Sequence, residues 1–445
     1  MDVLNKIKKI TLEKLFTIIV IPIGILYMVF MLPTYAPDES AHIWKAYEIS
    51  KGILFTHDTT TIPKDLLENK QETLNNYKTL KENLNKKTDY NDTVEVITPA
   101  QAYPFFLYIP SAIGMAVGRT LNINILYGIY LGKLLNFILY IIAGYYIIKK
   151  LPFGKLVAFV YLLLPMILCQ AISLSADAII NILILIYIAH IMQILYKEEI
   201  TKKDKIMCII LPLLISISKI AYLPIIGLNF LLIRKKEITK KEKIAILGIS
   251  TTICIICATA YFIYTMSFPT PTATKDYIEA SNVNSMEQIK TIFTKPFVYI
   301  KAMIKTTYTY GQYYLDTFIG SQLGWLDITV NRTIINSFLI ILLFAPFLEN
   351  NQKELKNKQK LWTCLITIAT IILIITGLYI TWSPVGGDLV LGVQGRYFIP
   401  VVILLLLCMC QKENYIKIKN INNWIAILLT TLNLLVIITI FKFFA

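Results

Sequence analysis

The stretch Leu361–Trp382 reads LWTCLITIATIILIITGLYITW and carries no charged side chain. As an α-helix rising 1.5 Å per residue it is ~33 Å long, enough to cross a hydrocarbon layer roughly 30 Å thick. Runs of the same kind recur along the chain, beginning with Leu15 to Leu32 and ending with Trp424 to Phe441. Hydrophobic residues make up 56% of the 445 and charged residues 16%. A water-soluble domain needs more charge than that to cover its outside. The chain therefore reads as an all-α polytopic membrane protein. Its formal net charge of +15 belongs first to cytoplasmic loops, where surplus Lys collects, and not to a nucleic-acid partner.

The basic clusters set the path. They are Lys149/Lys150/Lys155, Lys197/Lys202/Lys203/Lys205, Arg234/Lys235/Lys236/Lys240/Lys241/Lys243, Lys353/Lys356/Lys358/Lys360 and Lys412/Lys417/Lys419. Each sits in a short loop, where the positive-inside rule is strongest. With all of them inside, the first run leads out and Ile123 to Ile148 returns. Leu151 to Cys169 leads out and Ala178 to Tyr196 returns. Ile206 to Ile233 doubles back at Ser218-Lys219-Ile220 as two short helices. Ile244 to Met266, Ile334 to Leu348, Leu361 to Trp382, Tyr397 to Cys410 and Trp424 to Phe441 complete about eleven transmembrane helices. Spanning by Tyr103 to Val117 would invert every later loop, so that run is expected as a short helix in the outer leaflet.

This describes one integral membrane domain over residues 1–445 in the cytoplasmic (plasma) membrane, with its N-terminus cytoplasmic. The first run is longer than a signal-peptide core, and Pro37 follows the small residue at its end, so it reads as a retained helix. Two long polar segments face outward: 33–122, with juxtamembrane helices, and 267–332. Within the first, Asp58 to Asp92 is Lys/Asn/Glu-rich and reads as a helical flap or a flexible loop. The seven cysteines lie in or beside apolar runs, which does not suggest a disulfide framework. Cys254 and Cys257, inside a span, read as small lipid-compatible residues and not as a redox pair.

Polar chemistry gathers on the outer side. In Pro37-Asp38-Glu39-Ser40-Ala41-His42, Pro suits a first helical position and acids suit a first turn. On a helix Asp38 and Glu39 both share a face with His42. Two readings stand: a capped interfacial helix anchored by Trp44 and Tyr47, or a carboxylate site in which Asp38 or Glu39 is a general base tuned by His42 or by a divalent cation such as Mg or Mn. Asp177 heads a helix just below the surface, as a dipole partner or as a paired site acid. Lys219 sits at an intramembrane turn, a functional candidate by default.

Arginine is scarce, four against 39 Lys, and Arg396 stands at the mouth of a span in Gln394-Gly395-Arg396-Tyr397. Its planar fork suits phosphate or carboxylate; the alternative is a snorkelling anchor. Asp388, Trp325 and Asp327 add further outer polar and aromatic groups, and Tyr308, Tyr310, Tyr313 and Tyr314 form either an aromatic belt or a wall for sugar rings or lipid. His57 and His190 show no partner pattern.

Pro37-Asp38-Glu39-x-x-His42, followed by Ala46-Tyr47-x-Ile49-Ser50-x-Gly52, resembles the opening signature of a bacterial "domain of unknown function" family of predicted membrane proteins, with Ala36 where that family commonly has a first Pro. Further likeness runs through Tyr103-Pro104, Gly118-Arg119, Gly132-Lys133-Leu134-Leu135-Asn136, Pro165, Gln170, Ser173, Ser175, Asp177, Ser218-Lys219, Tyr222-Leu223-Pro224 and Gly324-Trp325-x-Asp327. It ends at Gln394-Gly395-Arg396-Tyr397-Phe398-x-Pro400.

In layout the family is similar to GT-C-type glycosyltransferases. The resemblance implies transfer of a sugar from a polyprenyl-phosphate lipid to a cell-envelope glycan acceptor on the outer side, with Asp38 or Glu39 as the acid of the first loop. Asp38 is then the base, Glu39 or His42 its helper, and Arg396 with Lys219 the cations that meet the leaving phosphate. Asp177, Trp325, Asp327, Asp388, Gln394 and Tyr397 would bind substrate. A flippase of lipid-linked glycan, favoured by an intramembrane Lys219, and a non-catalytic scaffold for envelope assembly are the rival readings.

Overall fold

The computed structural model describes residues 10–55, 58–69, 73–412 and 418–445; His57 and Lys417 lie outside them. The chain is mostly helical. Its main helices are α1 (Leu12–Phe30), α2 (Glu39–Ser50), α3 (Ile109–Thr120), α4 (Ile125–Lys150), α5 (Ala176–Tyr196), α6 (Lys202–Ser218), α7 (Lys240–Thr265), α8 (Pro296–Ile319), α9 (Arg332–Leu348), α10 (Asn357–Trp382), α11 (Ile399–Met409) and α12 (Ile421–Phe444). Six of them, α1, α4, α5, α7, α10 and α12, are long and apolar enough to cross a membrane. Ile220–Arg234, α9 and Gly395–Met409 are shorter apolar helices.

Two expected spans take other forms. Leu151 to Cys169 is broken into Lys155–Tyr161 and Pro165–Ala171. Pro165 cannot donate to the preceding turn, so the helix stops before it and restarts. Both pieces are buried, and the break frees carbonyls that lipid cannot solvate. Neighbours supply the missing donors. Tyr140 Oη bonds to Leu162 O, and Asn433 Nδ2 donates to Leu163 O at 3.0 Å. Tyr27 Oη in turn donates to Asn433 Oδ1 at 2.9 Å.

Ile206 to Ile233 does double back, as α6 and then as a 3₁₀ helix over Ile220–Arg234. Fifteen residues in an α-helix reach only ~22 Å, but at the 3₁₀ rise of about 2.0 Å they reach ~30 Å. Its buried residues include Tyr222, Ile225, Leu228 and Leu231, three apart as three residues per turn require.

The run Tyr103 to Val117 is a 3₁₀ turn, Phe105–Tyr108, followed by α3. α3 is pressed on the first half of α4 through paired glycines. A Cβ on Gly114 would stand 2.2 Å from Gly132 N, and one on Gly118 would stand 2.9 Å from Gly128 Cα. Two small-xxx-small faces thus let the backbones touch. Asn136 Nδ2 donates to Ser111 Oγ at 3.0 Å, so α3 runs along α4 only to about its middle.

The two long polar segments are folded. In the first, Thr60–Pro63 (β1) pairs antiparallel with Thr93–Val96 (β2), with short helices Lys64–Glu68 and Tyr77–Leu84 between them. It is bonded to the head of α4: Asn124 Nδ2 donates to Asn83 O and Lys86 O, and Ile125 N donates to Thr88 Oγ1. The second is helical up to Ile319 and ends in a two-residue hairpin, Gln322–Leu323 (β3) with Ile328–Thr329 (β4).

Asn433→Leu removes the donor that serves the broken helix and should cost about 1–3 kcal/mol. Thermal unfolding in detergent should show this loss, with Thr431→Leu on the exposed face of α12 as an unchanged control.

Candidate functional site

Helix α2 begins at Glu39, two residues later than the proline rule suggests. Asp38 is its N-cap, in the left-handed region at φ 60°, and its side chain makes no capping bond. The capping reading is therefore corrected: Asp38 Oδ2 accepts from Arg396 Nη2 at 3.0 Å. Trp44 and Tyr47 are not surface anchors either. Tyr47 is buried, and Trp44 Nε1 reaches Leu66 O in the short helix Lys64–Glu68.

The Gln394-Gly395-Arg396-Tyr397-Phe398 stretch explains itself residue by residue. A Cβ on Gly395 would lie 2.1 Å from Tyr314 O, so only glycine lets this turn press on α8. Gly395 N donates to Thr317 Oγ1, and Phe398 packs edge-on against Tyr314. Arg396 is buried. Its Nε donates to Gln394 Oε1 at 2.7 Å, Nη1 points to Pro37 O at 3.4 Å, and the guanidinium lies 5.1 Å from the Tyr397 ring centroid.

A second ion pair stands beside the first. Lys219 Nζ is 3.4 Å from Asp177 Oδ1 and 4.9 Å from the centre of the same Tyr397 ring. Lys219 sits between α6 and the 3₁₀ helix in extended backbone, and Tyr222 Oη one turn on donates to Tyr397 O at 3.0 Å. Asp177 is within electrostatic reach of Lys219, Arg396 and His42, and His42 is within reach of Asp38. Regions near 38, 177, 219 and 396 thus meet in one site of two carboxylates and two cations.

His42 adds a neutral polar group. Tyr108 is buried, and its hydroxyl lies 2.6 Å from His42 Nδ1. A buried phenol donates when it can. His42 Nδ1 stands as that acceptor, which puts the imidazole proton on Nε2. Burial pushes the imidazole down to about 4, against the opposing pull of Asp177 and Asp38. Tyr103 packs against the ring at 5.5 Å and lies within reach of Lys219, Asp177 and Arg396. Tyr313 reaches Tyr397 and Arg396.

Other expected members lie elsewhere. Glu39, the first helical residue, points away from Asp38, which stands outside the helix in the left-handed region. It is fully buried, 3.3 Å from Lys133 Nζ, and accepts from Leu174 N at 3.0 Å and Ala36 N at 3.2 Å. Both of its oxygens are engaged in holding the fold. Asp388 forms a surface ion pair with Lys305. Asp327 accepts from Tyr35 Oη at 2.8 Å, and Trp325 Nε1 donates to Thr34 O at 3.3 Å. The β3–β4 hairpin therefore grips the link between α1 and α2 that carries Pro37 and Asp38. Gln394 orients Arg396.

Among the described residues no three His, Cys, Asp or Glu side chains form a metal-binding group. With Glu39 turned to Lys133, and Asp38 and Asp177 each facing a cation, the donor set for Mg or Mn is not assembled. Tyr103, Tyr108 and Tyr222 were not foreseen as site residues. Tyr103 and Tyr222 carry a signal only in the likeness at Tyr103-Pro104 and Tyr222-Leu223-Pro224, and Tyr108 carries none.

Lys133→Met should cost about 3–5 kcal/mol by stranding the Glu39 carboxylate. Lys133→Met with Glu39→Gln should cost less than the two single changes added together, as read by unfolding in detergent. The His42 value in the fold lies below the ordinary 6.5, so its contribution to stability is whole above that pH and is lost as pH falls to about 4. Wild type should lose more thermal stability over this window than His42→Gln; equal slopes would place the ring in water.

The family model described as predicted membrane protein (DUF2142) matches residues 22–405. No curated protein and no solved structure matches the chain. The family match takes in Asp38, Asp177, Lys219 and Arg396, and the chain belongs to this DUF2142 family of predicted membrane proteins.

Proposed function

We propose that the chain is a glycosyltransferase of the cytoplasmic membrane, moving a sugar from a polyprenyl-phosphate donor to a cell-envelope glycan on the outer side. The observation that carries this reading is the meeting of Asp38, Asp177, Lys219 and Arg396 around Tyr397, from four stretches far apart in sequence. In the proposed step the acceptor hydroxyl oxygen bonds to the anomeric carbon. The carbon–oxygen bond to the donor phosphate breaks, the hydroxyl proton passes to Asp38, and the phosphate leaves with its electron pair. Negative charge grows on that phosphate in the transition state, and a preplaced Arg396 and Lys219 lower the barrier. Neutral His42, with its proton on Nε2, donates to a sugar or acceptor oxygen.

The reading takes eleven crossings. Five are added to the six long helices: the broken pair from Lys155 to Ala171, α6, the 3₁₀ helix, α9, and Gly395–Met409. Contacts between loops support this path. Segments assigned inside meet one another, with Gly154 N donating to Asn351 Oδ1 and Lys205 paired with Glu242. Segments assigned outside do the same, at Asp38 with Arg396, Asp177 with Lys219, and Tyr35 with Asp327. The flippase reading drew on Lys219 alone, and Lys219 is half of an ion pair within this site.

Asp38→Asn and Arg396→Ala, at matched membrane levels, should each lower transfer by about 10²–10³-fold. The readout is surface glycan composition together with the pool of polyprenyl-phosphate sugars. Loss of one sugar with accumulation of its lipid donor is expected. Normal glycans and pools in both variants, where a deletion strain is defective, would overturn the enzyme reading.

A further inference from the structure

The two members of the Asp38–Arg396 pair are held very differently. The Arg396 side chain is 3% exposed, while that of Asp38 is 58% exposed. Arg396 keeps its place through Gln394, the Pro37 carbonyl and the Tyr397 ring, none of which needs the Asp38 carboxylate. Asp38 has Arg396 Nη2 as its ion-pair partner, makes no capping bond, and sits in a left-handed backbone conformation that few side chains adopt. The neighbouring pair is tighter in this sense: Asp177 is 13% exposed and faces Lys219, Arg396 and His42.

A buried guanidinium cannot be left without an anion. Asp177 is near but holds Lys219, so Asp38 leaves Arg396 at low cost when another anion arrives, and an anion that meets Arg396 Nη2 takes the Asp38 position. Lys219, on the same aromatic ring, supplies a second positive charge for an incoming group that carries more than one negative charge.

We propose that Asp38 is a displaceable counter-ion: a phosphate monoester or diester group replaces its carboxylate on Arg396, and the carboxylate so released faces the acceptor as the base. This rests on the transferase reading and deepens it. It makes the base available only when the donor phosphate is in place, so donor binds before acceptor. It also gives a use to the exposure of Asp38: the exchanged carboxylate moves into water, where its charge is cheap.

The test uses the full-length purified protein in detergent micelles, with two probes, a polyprenyl monophosphate and inorganic phosphate. Binding is compared among wild type, Asp38→Asn and Arg396→Met, with thermal unfolding to verify the fold. Asn is chosen because it tolerates the left-handed backbone. Exchange predicts that Asp38→Asn binds phosphate about tenfold or more tightly than wild type, while Arg396→Met binds about tenfold or more weakly. A gain seen with both probes assigns the exchange to phosphate as such, and a gain with the lipid alone assigns it to the lipid headgroup. Unchanged or weaker binding by Asp38→Asn, with Arg396→Met still weakened, overturns the exchange and leaves the cation site standing. If neither variant alters binding, the phosphate site of the transferase reading falls with it.

Discussion

Glu39 and Lys133 meet out of reach of water, and the arrangement of the site depends on that meeting. The carboxylate also accepts from the backbone of Ala36 and Leu174. It therefore ties together the link after α1, the first turn of α2, the middle of α4 and the turn that precedes Asp177. A charge so deep cannot slide, because any move leaves it unpaired in a low-dielectric medium. Asp38 and His42 inherit their positions from the first turn of α2, and Asp177 inherits its position from the Ser173–Ser175 turn. The Asn136 amide, bonded to Ser173 O at 2.7 Å and to Ser111 Oγ, fastens the same junction from one turn further along α4.

The same rule governs the rest of the interior. Irregular backbone at membrane depth persists only where protein groups replace water. The break at Pro165 is matched by Tyr140 and by the Tyr27–Asn433 pair. The turn at Lys219 is matched by the Tyr222–Tyr397 bond and by Asp177. These polar side chains are isolated in sequence, each surrounded by apolar residues, yet they converge in space on the points where the helical ladder is interrupted.

Much of this was legible in the sequence. Run length and the Lys clusters place the long helices within a few residues of their observed ends. The reversal at Ser218-Lys219 follows from a basic cluster on each side of one apolar run. The gathering of Asp38, Asp177 and Arg396 follows from the outer positions expected of them, and Arg396 stands out in a chain with 39 Lys and four Arg. What the pattern does not carry is angle. Asp38 and Glu39 are adjacent, and only the left-handed residue at the helix start decides which faces Arg396 and which faces Lys133. Composition also does not distinguish a 3₁₀ helix from an α-helix, since both bury one stripe of the same residues. Asp388 and Asp327 look equivalent to Asp177 in the sequence because all three are acids expected on the outer side. Their partners, Lys305 and Tyr35, lie 83 and 292 residues away and could not be read from spacing.

The 3₁₀ helix over Ile220–Arg234 also has a mechanical meaning. It covers its distance by being stretched instead of by having more residues. Relaxation of its fifteen residues to α geometry would shorten it by ~7 Å. Lys219 caps its first turn, and the basic loop after Arg234 follows its last. In the eleven-crossing path proposed above, bilayer thickness acts along the same axis as the ammonium that lies against Tyr397, and the lipid composition of the membrane and the position of this cation are coupled variables.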